Sequence, residues 1–350
     1  MKKFLVAIML VAMLVSVFAF TACKPDEIKP FVDESYTLVV PDGAPALAIA
    51  NFPTFSSAYS ITRISTDKAK YGITRKVVSS TLIQAEAVKP DVDMAIVPAN
   101  MASIIFNKNG GYKILAVVTN GNLYMTSSIP CEVDSLQGIV GKLVYSIGQN
   151  SVPDMIFRTL LADAGIEYKV GEDAKEGQVT INYCGDGQAV IGKLGAAKSK
   201  GELAFGIYGE PAVTKSKANG FQEVFDLQAL WSANGEGEQS GYAQAVLIAR
   251  DKVCEDSEFV SKVLDLFAFN DSSILQDSAK AVENIKAIYP SSSLQVGMTL
   301  DVIKRCNIKT VPTSTQEGRM YYENTLKAVM AIDANLIGGK LPSDDFYIAK

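Results

Sequence analysis

From Tyr36 to Ala249 short β-rich apolar runs alternate with helical stretches, and that alternation confines the chain to an α/β class. YTLVVP (36–41), RKVVS (75–79), DMAIVP (93–98) and YKILAVVT (112–119) read as strands; APALAIANF (44–52), STLIQAEAV (80–88) and ANMASIIFNK (99–108) read as the helices between them. A second series follows, with strands at 123–128, 142–148, 179–184, 202–207, 223–227 and 242–249 and helices at 152–164, 186–200 and 210–218. Beyond it, 257–289 and 313–333 are helical in pattern. Such alternation predicts mostly parallel sheets covered by helices on both faces. Ligands of such sheets sit beyond the carboxyl ends of the strands.

The first residues obey a different rule. Lys2 and Lys3 precede an apolar run from Phe4 to Phe20 broken only by Ser16, and small residues then lead to Cys23. This is the pattern of a secretory signal peptide over residues 1–22. Cys23 stands where lipidation of the mature N-terminus is expected, although Phe20 departs from the usual leucine. An uncleaved membrane anchor is the competing reading. Residues 23–35 are polar, carry two prolines and predict a lipidated tether.

Composition then removes whole classes of chemistry. The chain has no histidine, so Ser-His-Asp and Cys-His catalysis are excluded, together with the commonest metal ligand. Cys131, Cys184, Cys254 and Cys306 form no CxxC pair, which argues against a zinc knuckle. Without Lys2 and Lys3 the mature chain has 31 basic residues against 38 acidic ones, a net charge of −7. With no basic patch, nucleic acid is not expected as a partner. No phosphate-binding glycine loop and no cofactor motif are present.

Polar elbows end the strands. Ser151-Val152-Pro153-Asp154 fits a capping box, with Ser151 as N-cap and Asp154 reaching back. Gly148, Gln149 and Asn150 precede it. Comparable elbows occur at Asp42-Gly43-Ala44, Ser79-Ser80-Thr81, Ala99-Asn100, Asn120-Gly121, Cys184-Gly185-Asp186 and Tyr208-Gly209-Glu210. Capping alone satisfies any one of them. If two sheets face each other, the set converges on one cleft, with free N–H groups on its rim. Tyr183, Tyr208, Trp231 and Tyr242 lie at or near the same ends, as core or as stacking groups. Gly235-Glu236-Gly237-Glu238 reads as a loop.

DMAIVPANMASIIFNK (93–108), GKLVYSIGQNSVPDMIFRTLLADAGI (141–166), DGQAVIGKLGAAK (186–198) and GEPAVTKS (209–216), in this order, resemble the extracytoplasmic solute-binding proteins of ABC importers. The group concerned includes nitrate, sulfonate, taurine and thiamine-precursor binders. RCNI (305–308) and IGGKLPSDDFYI (337–348) look like lipoproteins of low-GC Gram-positive bacteria. The resemblance implies a type II periplasmic-binding-protein fold: two α/β lobes, a two-strand hinge and C-terminal helices on the first lobe. It implies lobe 1 over 36–124 plus 245–350 and lobe 2 over 125–244. It implies a monomer anchored by lipid outside the cell membrane, which hands a small-molecule solute to a permease and its ATPase. The implied ligand-binding residues are Asp42, Gly43, Ala44, Ser79, Ser80, Thr81, Asn100, Asn120, Gln149, Asn150, Ser151, Asp154, Tyr183, Asp186, Tyr208 and Glu210. Acids and tyrosines without an elbow Lys or Arg favour a neutral or cationic heteroaromatic, such as a pyrimidine precursor, over sulfonate or nitrate. An enzyme of quinone or pyrimidine metabolism on the same fold, or a ligand-sensing ectodomain, are the alternatives.

Overall fold

A computed structural model describes residues 32–54, 61–234, 241–295 and 298–348. The signal peptide, Cys23, nearly all of the tether and the Gly235–Glu238 loop lie outside the described residues. The first series runs β1 (Glu34–Pro41), α1 (Ala44–Leu47), β2 (Ile61–Ser65), β3 (Lys70–Val78), α2 (Ile83–Glu86), β4 (Met94–Pro98), α3 (Ala99–Asn109) and β5 (Tyr112–Asn120). The second runs β6 (Leu123–Ser127), β7 (Leu143–Ile147), α4 (Val152–Asp163), β8 (Tyr168–Val170), β9 (Val179–Cys184), α5 (Gly187–Ser199), β10 (Phe205–Gly209), α6 (Ala212–Ala218), β11 (Gln222–Asp226) and α7 (Leu227–Asn234). The remainder is β12 (Ala243–Arg250), α8 (Ser257–Gln276), α9 (Ser278–Ile288), α10 (Leu300–Arg305), β13 (Ile308–Pro312) and α11 (Gln316–Ile332).

Seven strands form one sheet in the order β13-β5-β12-β4-β1-β3-β2, and six form a second in the order β11-β6-β10-β7-β9-β8. The chain leaves the first sheet after Asn120, enters the second at Leu123, and is back in the first at Ala243. The strands that make these crossings run against their neighbours: β6 is antiparallel to β10 and β11, and β12 to β4 and β5. That corrects the expectation of mostly parallel sheets. The parallel pairs are β1–β3, β1–β4, β7–β9, β8–β9 and β7–β10, and the rest of each sheet is antiparallel.

Alternation along the strands separates two cores on the first sheet. Leu38, Val40, Ile96 and Leu247 face α8 and α9, whereas Val39, Val97, Val117 and Val246 join Ala102 and Ile105 of α3 and Tyr322 and Leu326 of α11. The second of these cores continues into Val144, Ile181 and Phe205 of the other sheet and into Met155, Ile156 and Leu160 of α4. Helix α11 touches α4 as well as the first sheet, so one C-terminal helix bridges the two halves. The outer face of the second sheet is closed by Val190 and Leu194 of α5 and Val213 of α6. Among the described residues no helix is long and apolar enough to cross a membrane.

Candidate functional site

The parallel strands deliver their carboxyl ends to one cleft of about 1190 Å³. From the first sheet its wall receives the elbows after β1 (Asp42–Pro45), β3 (Ser79–Thr81) and β4 (Asn100, Met101); from the second, those after β7 (Gly148–Pro153), β9 (Gly185–Gln188) and β10 (Gly209–Ala212). Each elbow turns the chain from strand to helix, which is why polar side chains and helix N-termini collect here.

Of the sixteen residues named from the sequence, Asp42, Gly43, Ala44, Ser79, Ser80, Thr81, Asn100, Gln149, Asn150, Ser151, Asp186, Tyr208 and Glu210 line the cleft. Asn120, Asp154 and Tyr183 lie outside its lining. Asn120 turns away: its amide donates to the carbonyl oxygens of Lys309 (2.9 Å) and Asn307 (3.4 Å), which ties β5 to β13. Asp154 is 1% exposed and serves as the hub of the α4 start. Its carboxylate accepts from the Asn150 amide (2.9 Å), the Tyr183 hydroxyl (2.5 Å) and the Arg158 guanidinium (3.5 Å). Burial, with this carboxylate as hydrogen-bond partner, raises the Tyr183 pKa well above its ordinary value. The expected capping box is therefore modified. Ser151 is the N-cap but its side chain makes no cap bond, and Asp154 reaches back one residue farther, to Asn150.

The other elbow acids are also committed. Asp42 accepts from Ser292 Oγ (2.5 Å) and the Ser293 amide (2.7 Å). Asp186 caps α5 through the Ala189 amide at 2.9 Å. Glu210 accepts from the Thr214 amide and hydroxyl, both at 3.0 Å, and from Arg305 Nε at 2.6 Å. Of the four carboxylates that suggested affinity for a cation, Asp154 and Glu210 are thus paired with Arg158 and Arg305, whereas Asp42 and Asp186 accept hydrogen bonds from uncharged groups of the protein. Tyr208 lines the cleft with its hydroxyl bonded to Thr126, and burial raises its pKa. Trp231 and Tyr242 instead pack edge to face at 5.6 Å, and Tyr242 is fully buried.

Sequence reasoning missed several lining residues. Asn122 lies one residue beyond the Asn120-Gly121 elbow, and Gln244 sits within the apolar run of β12. Lys108 and Lys215 are the cations of the lining among the described residues; Lys215 Nζ is bonded to Gln188 Oε1 at 2.6 Å. Tyr289, Ser291 and Ser293 come from the segment after α9, which no strand-end rule singles out.

No family model matches the sequence, and no curated protein matches it. Solved structures do. An ABC transporter protein from Parabacteroides distasonis superposes with a TM-score of 0.68 at 18% identity, over 90% of this chain and 99% of that one. The periplasmic aliphatic sulphonate binding protein SsuA from Escherichia coli gives 0.60 at 12% identity, over 89% and 91%. The ligand binding component of an ABC-type import system from Staphylococcus aureus, with zinc bound, gives 0.56 at 13%, over 90% and 97%. With two mixed sheets, two crossings between them and strand ends facing one cleft, the chain has the type II periplasmic-binding-protein fold of these structures.

Proposed function

We propose that this chain is the solute-binding lipoprotein of an ABC importer, tethered outside the cell membrane through Cys23. It works as a monomer with lobe 1 over 36–124 plus 245–350 and lobe 2 over 125–244. It captures a small organic solute between the lobes and presents the closed form to a permease and its ATPase. The observation that carries this reading is the assembly of polar elbows from both sheets around one cleft. A ligand that touches both walls favours the closed form by its differential contacts.

The pairing of Asp154 and Glu210 with arginines, and the hydrogen bonds that Asp42 and Asp186 already accept, weaken the argument for a cation. No arginine lines the cleft among the described residues, so a fully charged sulfonate or nitrate finds no guanidinium there. The composition favours an uncharged, hydrogen-bonding heterocycle of the pyrimidine-precursor kind. A thermal-shift panel of pyrimidines, sulfonates, nitrate, amino acids and polyamines tests the proposal. A true solute present at 100 Kd stabilises the protein by about 2.7 kcal/mol. Absence of any shift across the panel, with no compaction in solution scattering, would sink the solute-binding reading.

A further inference from the structure

Asn122 and Gln244 stand side by side on the cleft wall, at the two places where the chain crosses between sheets. The Asn122 backbone amide donates to Gln244 Oε1 at 3.2 Å. With its oxygen held, the Gln244 amide must turn its Nε2 the other way, and that nitrogen has no protein acceptor among the described residues. Asn122 is fixed in the complementary sense. Its Nδ2 points to the Cys306 carbonyl at 3.5 Å, and its Oδ1 is buried with no donor. Asn122 is 2% exposed. Gly209 packs close against this oxygen, since a Cβ there would lie 3.0 Å from it. A second lining residue repeats the arrangement. Asn100 is 3% exposed and spends its amide hydrogens on the carbonyls of Leu336 (3.0 Å) and Asn150 (3.2 Å), and its Oδ1 is likewise buried without a donor.

A buried acceptor without a donor is costly. Among the described residues ten buried side-chain atoms lack a partner, and the two on residues that line the cleft are these Asn122 and Asn100 oxygens. We propose that this pair reads an N–H group beside a carbonyl or ring nitrogen on the solute. Asn122 Oδ1 accepts from the N–H, Gln244 Nε2 donates to the neighbouring acceptor, and Asn100 Oδ1 takes a further N–H or O–H from the lobe 1 side. The ligand class is then a lactam, a carboxamide or an amino-substituted nitrogen heterocycle. Both oxygens are shut off from water, so the solute reaches them while the lobes are parted and is held when they close. This assignment rests on the solute-binding reading above and adds the chemistry that the cleft selects.

The test uses matched probes on the mature chain: uracil against 1,3-dimethyluracil, and nicotinamide against its N,N-diethyl derivative, with cytosine, methanesulfonate and nitrate alongside. At least one N–H-bearing probe is expected to bind by calorimetry, and its alkylated partner to bind at least about tenfold more weakly. Gln244→Glu keeps the acceptor for the Asn122 amide and loses the donor. It should weaken the bound probe about tenfold while the ligand-free melting temperature moves by less than about 2 °C. Asn122→Leu removes the acceptor, and Gln244→Glu carries the test if that variant does not fold. Equal binding of an alkylated partner, unchanged affinity in Gln244→Glu, or binding of methanesulfonate or nitrate alone would overturn the assignment and leave a solute-binding protein of other specificity. A chain that binds no N–H probe also overturns it, and one that binds nothing at all fails the broader proposal too.

Discussion

At Asp154 one carboxylate gathers a backbone amide, a phenol and a guanidinium inside the protein, with no exposure to the cleft. Truncation leaves those donors without their acceptor, and a buried donor set stripped of its charge partner is strongly destabilising. Asp154→Ala is therefore expected to lower unfolding free energy by about 3 kcal/mol in urea titration. A loss below about 0.5 kcal/mol would mean that the hub contributes no more than an ordinary surface site. Asn150 needs a different test. Its φ of 57° lies in the left-handed region, and its backbone supplies both the amide bound by Asp154 and the carbonyl bound by Asn100. Asn150→Ala keeps these bonds but costs about 1 kcal/mol in backbone strain, so a drop in its ligand affinity would mix two causes. Asn150→Gly relieves the strain and isolates the side chain; unchanged affinity in that variant removes the side chain from ligand recognition. The elbow positions were legible in the sequence, but the direction of each acid was not. A carboxylate bound by its own neighbours and one free for a solute have the same letter and the same spacing.

Among the elements, the central strands were the legible part, because burial on both faces turns them into continuous apolar runs such as VVP in β1 and AVLIA in β12. The edge strands β2, β8 and β13 escaped. ITRIS, YKV and IKTVP are half-exposed and carry too few apolar residues to stand out. Helix α1 proved shorter than the 44–52 pattern, for a tertiary reason. Carbonyls that would continue it accept from elsewhere: Leu47 from Asn270 (2.9 Å), Ile49 from Arg75 (3.1 Å) and Ala50 from Asn284 (3.1 Å). Burial lowers the Arg75 pKa to about 10, which still leaves it charged at neutral pH. Helix-to-sheet approach depends on Gly206 in β10. A Cβ there would meet Val190 Cγ1 at 2.7 Å and Leu194 Cδ1 at 2.8 Å, both from α5. Gly206→Ala should push α5 off the second sheet and cost about 1–3 kcal/mol by overpacking, read as a lower thermal midpoint. An unshifted midpoint would show that α5 can give way without cost.

For the whole molecule, Arg305 at the end of α10 links the C-terminal segment to the second sheet. Its guanidinium bonds Glu210 at 2.6 Å and Glu223 at 2.9 Å, both on the second-sheet side, and lies 3.8 Å over the Tyr124 ring. Next to it Asn307 bonds the Gly121 carbonyl at 3.0 Å, at the first crossing. The clasp therefore joins a C-terminal segment to the second sheet beside the first crossing. Burial opposes charge on Glu223, but Arg305 and Lys217 outweigh it and hold its pKa below the usual value. A depressed carboxylate stabilises the folded arrangement above its unfolded pKa of about 4.3, and that contribution is lost as pH falls through the folded value. The clasp should thus be intact at neutral pH and weaken only on acidification below the usual carboxylate range. Arg305→Ala removes it at any pH. The second lobe then samples wider angles, the binding-competent fraction falls, and apparent affinity falls by the same factor. Solution scattering of the ligand-free variant at pH 7 should give a larger radius of gyration than the parent. Saturating solute should bring the two proteins to the same value, because ligand contacts on both walls restore closure. The parent protein, acidified without ligand, should drift toward the dimension of the variant. Equal radii at pH 7, with equal solute affinity, would show that the hinge strands alone fix the angle and that Arg305 is a bystander.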